Sequence, residues 1–288
     1  MSREAPVAIP PARSFFFPDA RQSPAAEVAT ETLFFRHLRL PNGTYKTTYP
    51  DRMPDVDAAV AAALPPGTRV RVLDVGVSSG VTTLELADAL AARGLAADVV
   101  AVDLSVSAFL HRRAGVDLLS DPNGRVLQIA TPFGVKGRPH DPEGSLARTA
   151  LQRVFEGAER LIGGPGGARR GTPVQLVSPR LVRRPGTTVV EHDLANPRAE
   201  WVGGFDVVRA ANVLNHDYFD VPTLRRMLGH LETYVRPHGL LVLCRTHDDT
   251  RTNHASVLRR APDGRFGVVT RVGNGSEVES LVLEPVAA

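Results

Sequence analysis

The spacing of apolar and polar positions changes character near residue 69. From there, short β-branched runs alternate with segments whose apolar residues recur at helical spacing. Residues 69–75 predict a strand. Residues 81–93 place Leu84, Leu86, Ala87, Leu90 and Ala91 on one helical stripe, and Gly94 ends it. Residues 98–103 (DVVAVD) predict a second buried strand, and 107–114 the start of another helix. Strands follow at 188–191, 205–209 and 240–245, with a helix near 221–235. Residues 265–272, an Asn274-Gly275 turn and 277–283 predict a closing antiparallel hairpin whose last strand runs against the rest. Such alternation predicts an α/β fold, a doubly wound and mostly parallel sheet of seven strands with helices on both faces. Ligands of such sheets lie beyond the carboxyl ends of the strands, where the strand order reverses.

The rest of the chain breaks this rhythm. Residues 1–30 are rich in Pro and Ala around an aromatic knot at Phe15, Phe16 and Phe17, and predict an irregular arm. Residues 31–64 predict two elements around a turn at Pro41-Asn42-Gly43. The second is a helix over about 53–64, with Asp55 near its start and Pro65-Pro66-Gly67 after it. Roughly 70 residues separate the second strand's helix from the strand at 188, too many for one structureless loop. They predict an inserted subdomain with a strand at 125–130 and an amphipathic helix at 145–162. The helix carries Leu151, Val154, Phe155, Ala158, Leu161 and Ile162, and Gly163-Gly164-Pro165-Gly166-Gly167 forms a flexible break. The expected organisation is an N-terminal arm or lid over 1–54, a main domain over 55–288, and an insertion over 121–187.

Composition narrows the class. Hydrophobic residues make up 43% of the 288 and charged residues 23%, which excludes disorder along the whole chain. No apolar run reaches the ~18 residues of a membrane helix. The first residues lack the basic start and apolar core of a signal peptide, so a cytoplasmic location is expected. Cys244 is the only cysteine, excluding an internal disulfide and a cysteine zinc site. The net charge is +3, and all but Lys46 and Lys136 of the 34 basic residues are Arg. Residues 160–190 hold six of them (Arg160, Arg169, Arg170, Arg180, Arg183 and Arg184) and no acid. A solvated face is the first reading, an anionic acceptor or an acidic carrier-protein partner the second. Nucleic acid comes last, since the stretch has no aromatic residue on which bases would stack.

The chemistry concentrates at Val72-Leu73-Asp74-Val75-Gly76-Val77-Ser78-Ser79-Gly80. A strand ending in an acid, then a glycine turn, then a helix start offers close backbone approach and unbonded N–H groups to an adenosine cofactor. A dinucleotide fingerprint needs a middle glycine for the pyrophosphate, and Ser78 stands there, which speaks against NAD. The sequence here resembles the class I S-adenosylmethionine-dependent methyltransferases, which have a Rossmann-like fold. The resemblance covers about 55–120 and 185–288. It implies that Asp74, Gly76, Ser78 and Gly80 surround the methionine part of S-adenosylmethionine. It implies that Asp103, with Leu104 beside it, takes the ribose hydroxyls. In Glu191-His192-Asp193-Leu194, Asp193 would take the adenine amino group and Leu194 would pack on the ring. Phe205 to Leu214 resembles the fourth-strand motif, with Asn212 beside the cofactor, and Pro237 to Leu243 the turn and strand after it.

Acceptor-side candidates are weaker. His216 follows the fourth strand, where an imidazole can remove a proton from the acceptor; its plain alternative is a surface histidine capping the next helix. Asp217 is adjacent and unsuited to orient it. Tyr45, Tyr49 and Arg52 precede the domain as lid candidates for substrate binding, and His247 stands at the rim in the polar run 246–254. His247, Asp248 and Asp249 are metal-type side chains, but a solvated loop is the preferred reading and no metal is expected. The expected activity is methyl transfer to oxygen or nitrogen of a small-molecule, natural-product-like acceptor. Two rivals stay open. Phe205–Phe219 also resembles the fourth-strand stretch of chemotaxis-receptor methyltransferases, which esterify protein carboxylates. The other rival is an NAD-binding or non-catalytic Rossmann protein. No membrane or nucleic-acid partner is expected, and the oligomeric state is left open.

Overall fold

The computed structural model describes residues 8–19, 22–46, 48–139, 145–247 and 250–284. The chain folds into two compact units, each built from two separate stretches. The larger comprises Tyr49–Leu104 and Arg180–Ala288, the smaller Met1–Thr48 and Ser105–Pro179.

The larger unit centres on β1 (Arg69–Val75), β2 (Ala96–Asp103), β8 (Thr187–Glu191), β9 (Phe205–Ala211), β10 (Val235–His247), β11 (Thr252–Arg260) and β12 (Phe266–Val272). Their order is β12-β11-β10-β9-β1-β2-β8. Pairing is parallel from β8 through β10; β11 runs antiparallel to both of its neighbours. Successive side chains of a strand point to opposite faces. Val70 and Val72 of β1 therefore pack in one apolar cluster with residues of α3 (Pro54–Ala62) and α4 (Val81–Ala92). Leu73 and Val75 join the cluster on the other face with α8 (Val221–Tyr234) and α9 (Glu279–Leu283). Covered on both faces, β1 buries every residue from Val72 to Val75. The strand order reverses beside β1: β2 and β8 lie to one side, β9 and β10 to the other.

The smaller unit is a five-stranded antiparallel sheet of order β6-β5-β4-β3-β7. Its strands are β3 (Ser107–Arg113), β4 (Val116–Ser120), β5 (Val126–Thr131), β6 (Gly134–Gly137) and β7 (Thr172–Gln175). Helices α1 (Ala12–Phe16) and α2 (Pro24–Arg36) cover one face. Phe15 stacks on Phe34 at 3.9 Å and meets Phe35 edge-on at 5.3 Å. These rings pack with Ala108, Leu110, Leu119 and Leu127. Helix α5 (Leu146–Ile162), capped by the Ser145 side chain, buries Phe155, Ala158 and Ile162 with Leu118, Val126 and Ile129 on the other face.

Several expectations are corrected. Residues 107–114 are strand β3, not helix, because Ala108 and Leu110 face one helical layer while Phe109 faces the other. The supposed arm holds two helices, of which α2 is capped by Ser23 with Pro24 in its first turn. The supposed glycine break contains the short helix α6 (Gly164–Ala168). The closing hairpin is β11–β12, one element earlier than expected. Residues 279–283 are helix α9, and the reversed strand is β11, so β12 runs with the parallel set. The polar run 250–254 is largely the start of β11. The smaller unit starts at 105 and ends at 179, instead of 121 and 187, and includes the N-terminal 48 residues. Among the described residues no helix is long and apolar enough to cross a membrane.

Candidate functional site

Strand β1 leads into a turn whose backbone is held by β2. Gly76 and Val77 both donate N–H to the Val102 carbonyl, at 2.7 and 3.1 Å. Gly76 takes φ 72°, the left-handed region that favours glycine, and a Cβ there would stand 2.0 Å from Val213 Cγ2. Ser78 also adopts a left-handed backbone, φ 54°, and its N–H donates to Asp103 Oδ2 at 2.7 Å. A charge-assisted bond thus clamps the turn to the end of β2. Gly80 caps α4 at φ 82°, and a Cβ on it would meet Leu181 at 2.5 Å. Helix α7 (Pro179–Arg183) supplies that leucine, which is fully buried. Between these glycines Ser79 is fully buried, and its hydroxyl has no hydrogen-bond partner among the described residues. Leu104, next to Asp103, is 60% exposed.

Asp74, expected near the methionine part of the cofactor, is bonded within the protein. Its neighbour across the β1–β9 register is Arg209. Arg209 Nε donates to Asp74 Oδ1 at 2.8 Å and Nη2 to Oδ2 at 2.6 Å, a bidentate pair. Arg209 Nη2 also donates to the Thr82 carbonyl, Nη1 to Asp57 Oδ1 at 2.8 Å, and Thr83 Oγ1 to Asp74 Oδ2 at 2.7 Å. All of these side chains are buried. Burial opposes the Arg209 charge, but Asp74 and Asp57 outweigh it and raise its pKa further. Burial pushes the Asp57 carboxyl up to about 7; Arg209 opposes that shift, while Asp74 and Glu85 add to it. Asp74 is therefore engaged inside the protein, locking β1, β9 and the first turn of α4 together. The signal for this was an arginine inside the apolar run Phe205-Asp206-Val207-Val208-Arg209: a buried guanidinium requires carboxylate partners. Cys244, buried on β10 with its thiol pushed up to about 12 by burial, is inert packing.

Other candidates are likewise held by the chain. Asp193 accepts the Ala195 N–H at 2.9 Å and the Asn196 amide at 3.4 Å, closing its own loop. Leu194 is buried in the core on the α8 side, and its carbonyl takes the His230 Nδ1 hydrogen at 2.9 Å. Leu104, across from them at the end of β2, is exposed. His192, between them and β8, meets Trp201 edge-on at 5.1 Å. Burial and then Arg198 hold its pKa below the usual histidine value. Asn212 adopts φ 59° and accepts the Thr246 N–H at 2.7 Å, pinning the end of β9 to β10. From Thr246 a chain of bonds runs to Asn253 (2.8 Å), and from Asn253 to Asp55 (2.6 Å) and the Arg52 carbonyl (3.0 Å).

On the acceptor side, Tyr49 lies beneath two guanidinium groups, Arg52 at 5.1 Å and Arg251 at 5.7 Å. His247 ends β10, exposed, with its ring 5.0 Å from His254. Asp248 and Asp249 lie outside the described residues, and no metal-type grouping occurs among the described ones. Tyr45 belongs to the smaller unit and is not part of this cluster. His216 is exposed and makes no hydrogen bond among the described residues. It sits in a loop fixed by the buried Asn215, whose Oδ1 accepts the N–H groups of Asp217 and Tyr218, both at 3.1 Å. Asp217 pairs with Arg245, away from any role toward His216. Of the basic stretch 160–190, Arg160, Arg169 and Arg170 belong to the smaller unit and Arg180, Arg183 and Arg184 to the larger. Arg184 there pairs with Asp88 at 2.6 Å.

The fit of this turn to an adenosylated sulfonium cofactor is therefore partial. Asp103 and Leu104 suit the ribose and the adjoining apolar ring. The orphaned Ser79 hydroxyl is a polar group awaiting a partner at the same turn. Asp74, Asp193 and Asn212 are each hydrogen-bonded within the chain.

No protein-family model matches the chain, and no curated protein does. Solved structures with similar α/β layouts include an O-methyltransferase family protein from Burkholderia thailandensis. It is 17% identical with a TM-score of 0.33, and the likeness covers 82% of this chain and 46% of that one. The 1,6-didemethyltoxoflavin-N1-methyltransferase of the same organism, with S-adenosylhomocysteine bound, is 16% identical with a TM-score of 0.33, covering 80% and 64%. A methyltransferase from Mesorhizobium loti is 15% identical with a TM-score of 0.30, covering 66% and 52%. The matched part spans less than two thirds of each of these structures.

Proposed function

We propose that this chain is an S-adenosylmethionine-dependent methyltransferase that alkylates oxygen or nitrogen of a small-molecule, natural-product-like acceptor at the strand ends of its larger unit. The observation that carries the reading is the Ser78–Asp103 clamp. It holds a carboxylate beside a left-handed glycine turn, next to an exposed leucine, at the point where the strand order reverses. A carboxylate accepts several hydrogen bonds, so Asp103 can hold ribose hydroxyls while keeping Ser78. When bound, the cofactor supplies an electrophilic methyl on a sulfonium. The chain's own contribution is to bind, orient and deprotonate. Leu104 flanks the adenosyl part, and Ser79 donates its hydroxyl at the turn. His216, on the fixed loop after β9, removes the acceptor's proton. Tyr49, Arg52 and His247 contact the acceptor.

The test is calorimetric titration with S-adenosylmethionine, S-adenosylhomocysteine and NAD(H), run separately. Micromolar-range binding of the adenosylated pair alone is expected. Asp103→Ala should weaken it at least tenfold, since charge-assisted bonds are lost. Binding of NAD(H) alone, or unchanged affinity in the variant, would sink the assignment.

A further inference from the structure

The methyl-transfer reading leaves unused a cavity of about 400 Å³ in the smaller unit, where the end of α2 meets β6. Its size falls in the range of small-molecule clefts, ~300–1,000 Å³. Three of its lining residues are cationic: Arg36 in the last turn of α2, Lys136 on β6, and Arg138. Among the described residues no carboxylate lines it.

The three cations are not equivalent. The Arg138 side chain is 7% exposed and engaged, donating to Glu159 Oε1 at 2.5 Å and to the Val126 carbonyl at 2.8 Å. Its charge is answered. Arg36 and Lys136 are exposed and have no carboxylate partner among the described residues. Beside the cavity, Arg39 is paired through a single backbone bridge with the lining residue Tyr45. Its Nη1 donates to the Pro139 carbonyl at 3.0 Å, and its buried Nε finds no acceptor. His37 hydrogen-bonds the Leu33 carbonyl through Nδ1 at 2.8 Å, which fixes the proton on that nitrogen. The wall is thus held in place by Arg138 and His37, while Arg36, Lys136 and, beside the cavity, Arg39 have no carboxylate partner among the described residues. Ile9 and the Tyr45 ring add apolar surface.

We propose that this cavity binds a small organic molecule through a phosphate monoester. Such a group carries about −1.5 to −2 charges at neutral pH, matching Arg36 and Lys136 together, whereas one carboxylate would neutralise only one of them. The guanidinium fork of Arg36 suits two phosphate oxygens, and the ammonium of Lys136 acts as a point charge on the third. The organic part lies against Ile9 and Tyr45. This site is independent of the methyl-transfer reading, since every residue in it belongs to the other unit.

The experiment is calorimetric titration of the full chain with phenyl phosphate, with benzoate in parallel. One saturable phenyl phosphate site at least tenfold tighter than benzoate is expected. The doubly reversed variant, Arg36→Glu with Lys136→Glu, should weaken it at least tenfold while far-UV circular dichroism and the melting temperature stay unchanged. The milder pair Arg36→Gln and Lys136→Gln should weaken it in the same direction if charge reversal disturbs the fold. Equal binding of benzoate, undiminished binding by the variants, or no saturable binding by the wild type would each overturn the proposal.

Discussion

Each unit ties its sheet to a distant segment through one buried polar side chain, and the two use opposite chemistry. In the larger unit the tie is ionic: Arg209 joins β9 to Asp74 on β1 and Asp57 on α3. In the smaller unit an amide does the work. Gln128 on β5 accepts the Ala12 N–H at 2.7 Å and donates to the Pro10 carbonyl at 3.1 Å, fastening the N-terminal helices to the sheet. The units differ in charge as well. The smaller has 16 basic and 10 acidic residues, +6; the larger has 18 and 21, −3. The lesson is that a basic overall pI does not describe the unit where the cofactor is expected. The excess positive charge lies with the smaller unit, which also holds the cavity at Arg36 and Lys136.

The ionic tie is the more costly to break. Asp74→Ala leaves Arg209 buried with half its partners gone and should cost about 3–5 kcal/mol, read from urea unfolding. A loss under ~1 kcal/mol would mean that water relieves the charge. Gln128→Leu should cost less, about 1–3 kcal/mol, because it strands a buried backbone N–H with no charge involved. If its cost equals that of Asp74→Ala, the contrast between the two ties fails.

The ionic tie should also make stability depend on pH. Below about pH 4, Asp57 is protonated in both the folded and unfolded chain. Between there and about 7 the unfolded chain gives up this proton while the folded chain keeps it, so stability falls as pH rises. Asp57→Asn should flatten that slope by on the order of 1 kcal/mol or more between pH 5 and 7.5. An identical slope in the variant would assign the effect to other groups. Smallest for stability is His216→Ala, expected within about 0.5 kcal/mol of wild type because the side chain is exposed. Turnover should fall by about 10²–10⁴ with cofactor affinity intact, as for loss of a general base; surviving turnover removes His216 from that role.

Legibility in the sequence followed the same division. Strands β1, β2, β8 and β9 were readable from their short runs of Val and Leu, most of them buried or half-buried in the parallel sheet. Strand β3 was taken for helix because a helix normally follows β2 in a doubly wound sheet; here the chain leaves for another unit instead. Strand β11 went unread, its first residues lying in the polar run 246–254 taken for a solvated loop, yet Asn253 and Ser256 are buried and hydrogen-bonded. The run Leu281-Val282-Leu283 looked like a strand, but its apolar residues pack as a short helix against the α8 core. At the site, the strand, glycine turn and helix start over 69–93 could be read from the residues, and Asp103 came with the family resemblance. The engagement of Asp74, Asp193 and Asn212 could not, because their partners lie on other elements or depend on loop geometry.

The smaller unit's assembly from two stretches of chain also sets an order of events during synthesis. Phe15, Phe16, Phe34 and Phe35 are made with the first helices, but the strands they cover begin at Ser107. Roughly 70 residues, including β1, α4 and β2, are added in between, and at about 5–20 residues per second that takes several seconds. During that interval the rings have only one another for company. A nascent chain of this protein therefore displays an aromatic cluster to chaperones, or to its neighbours on the same message, before its own sheet exists to cover it.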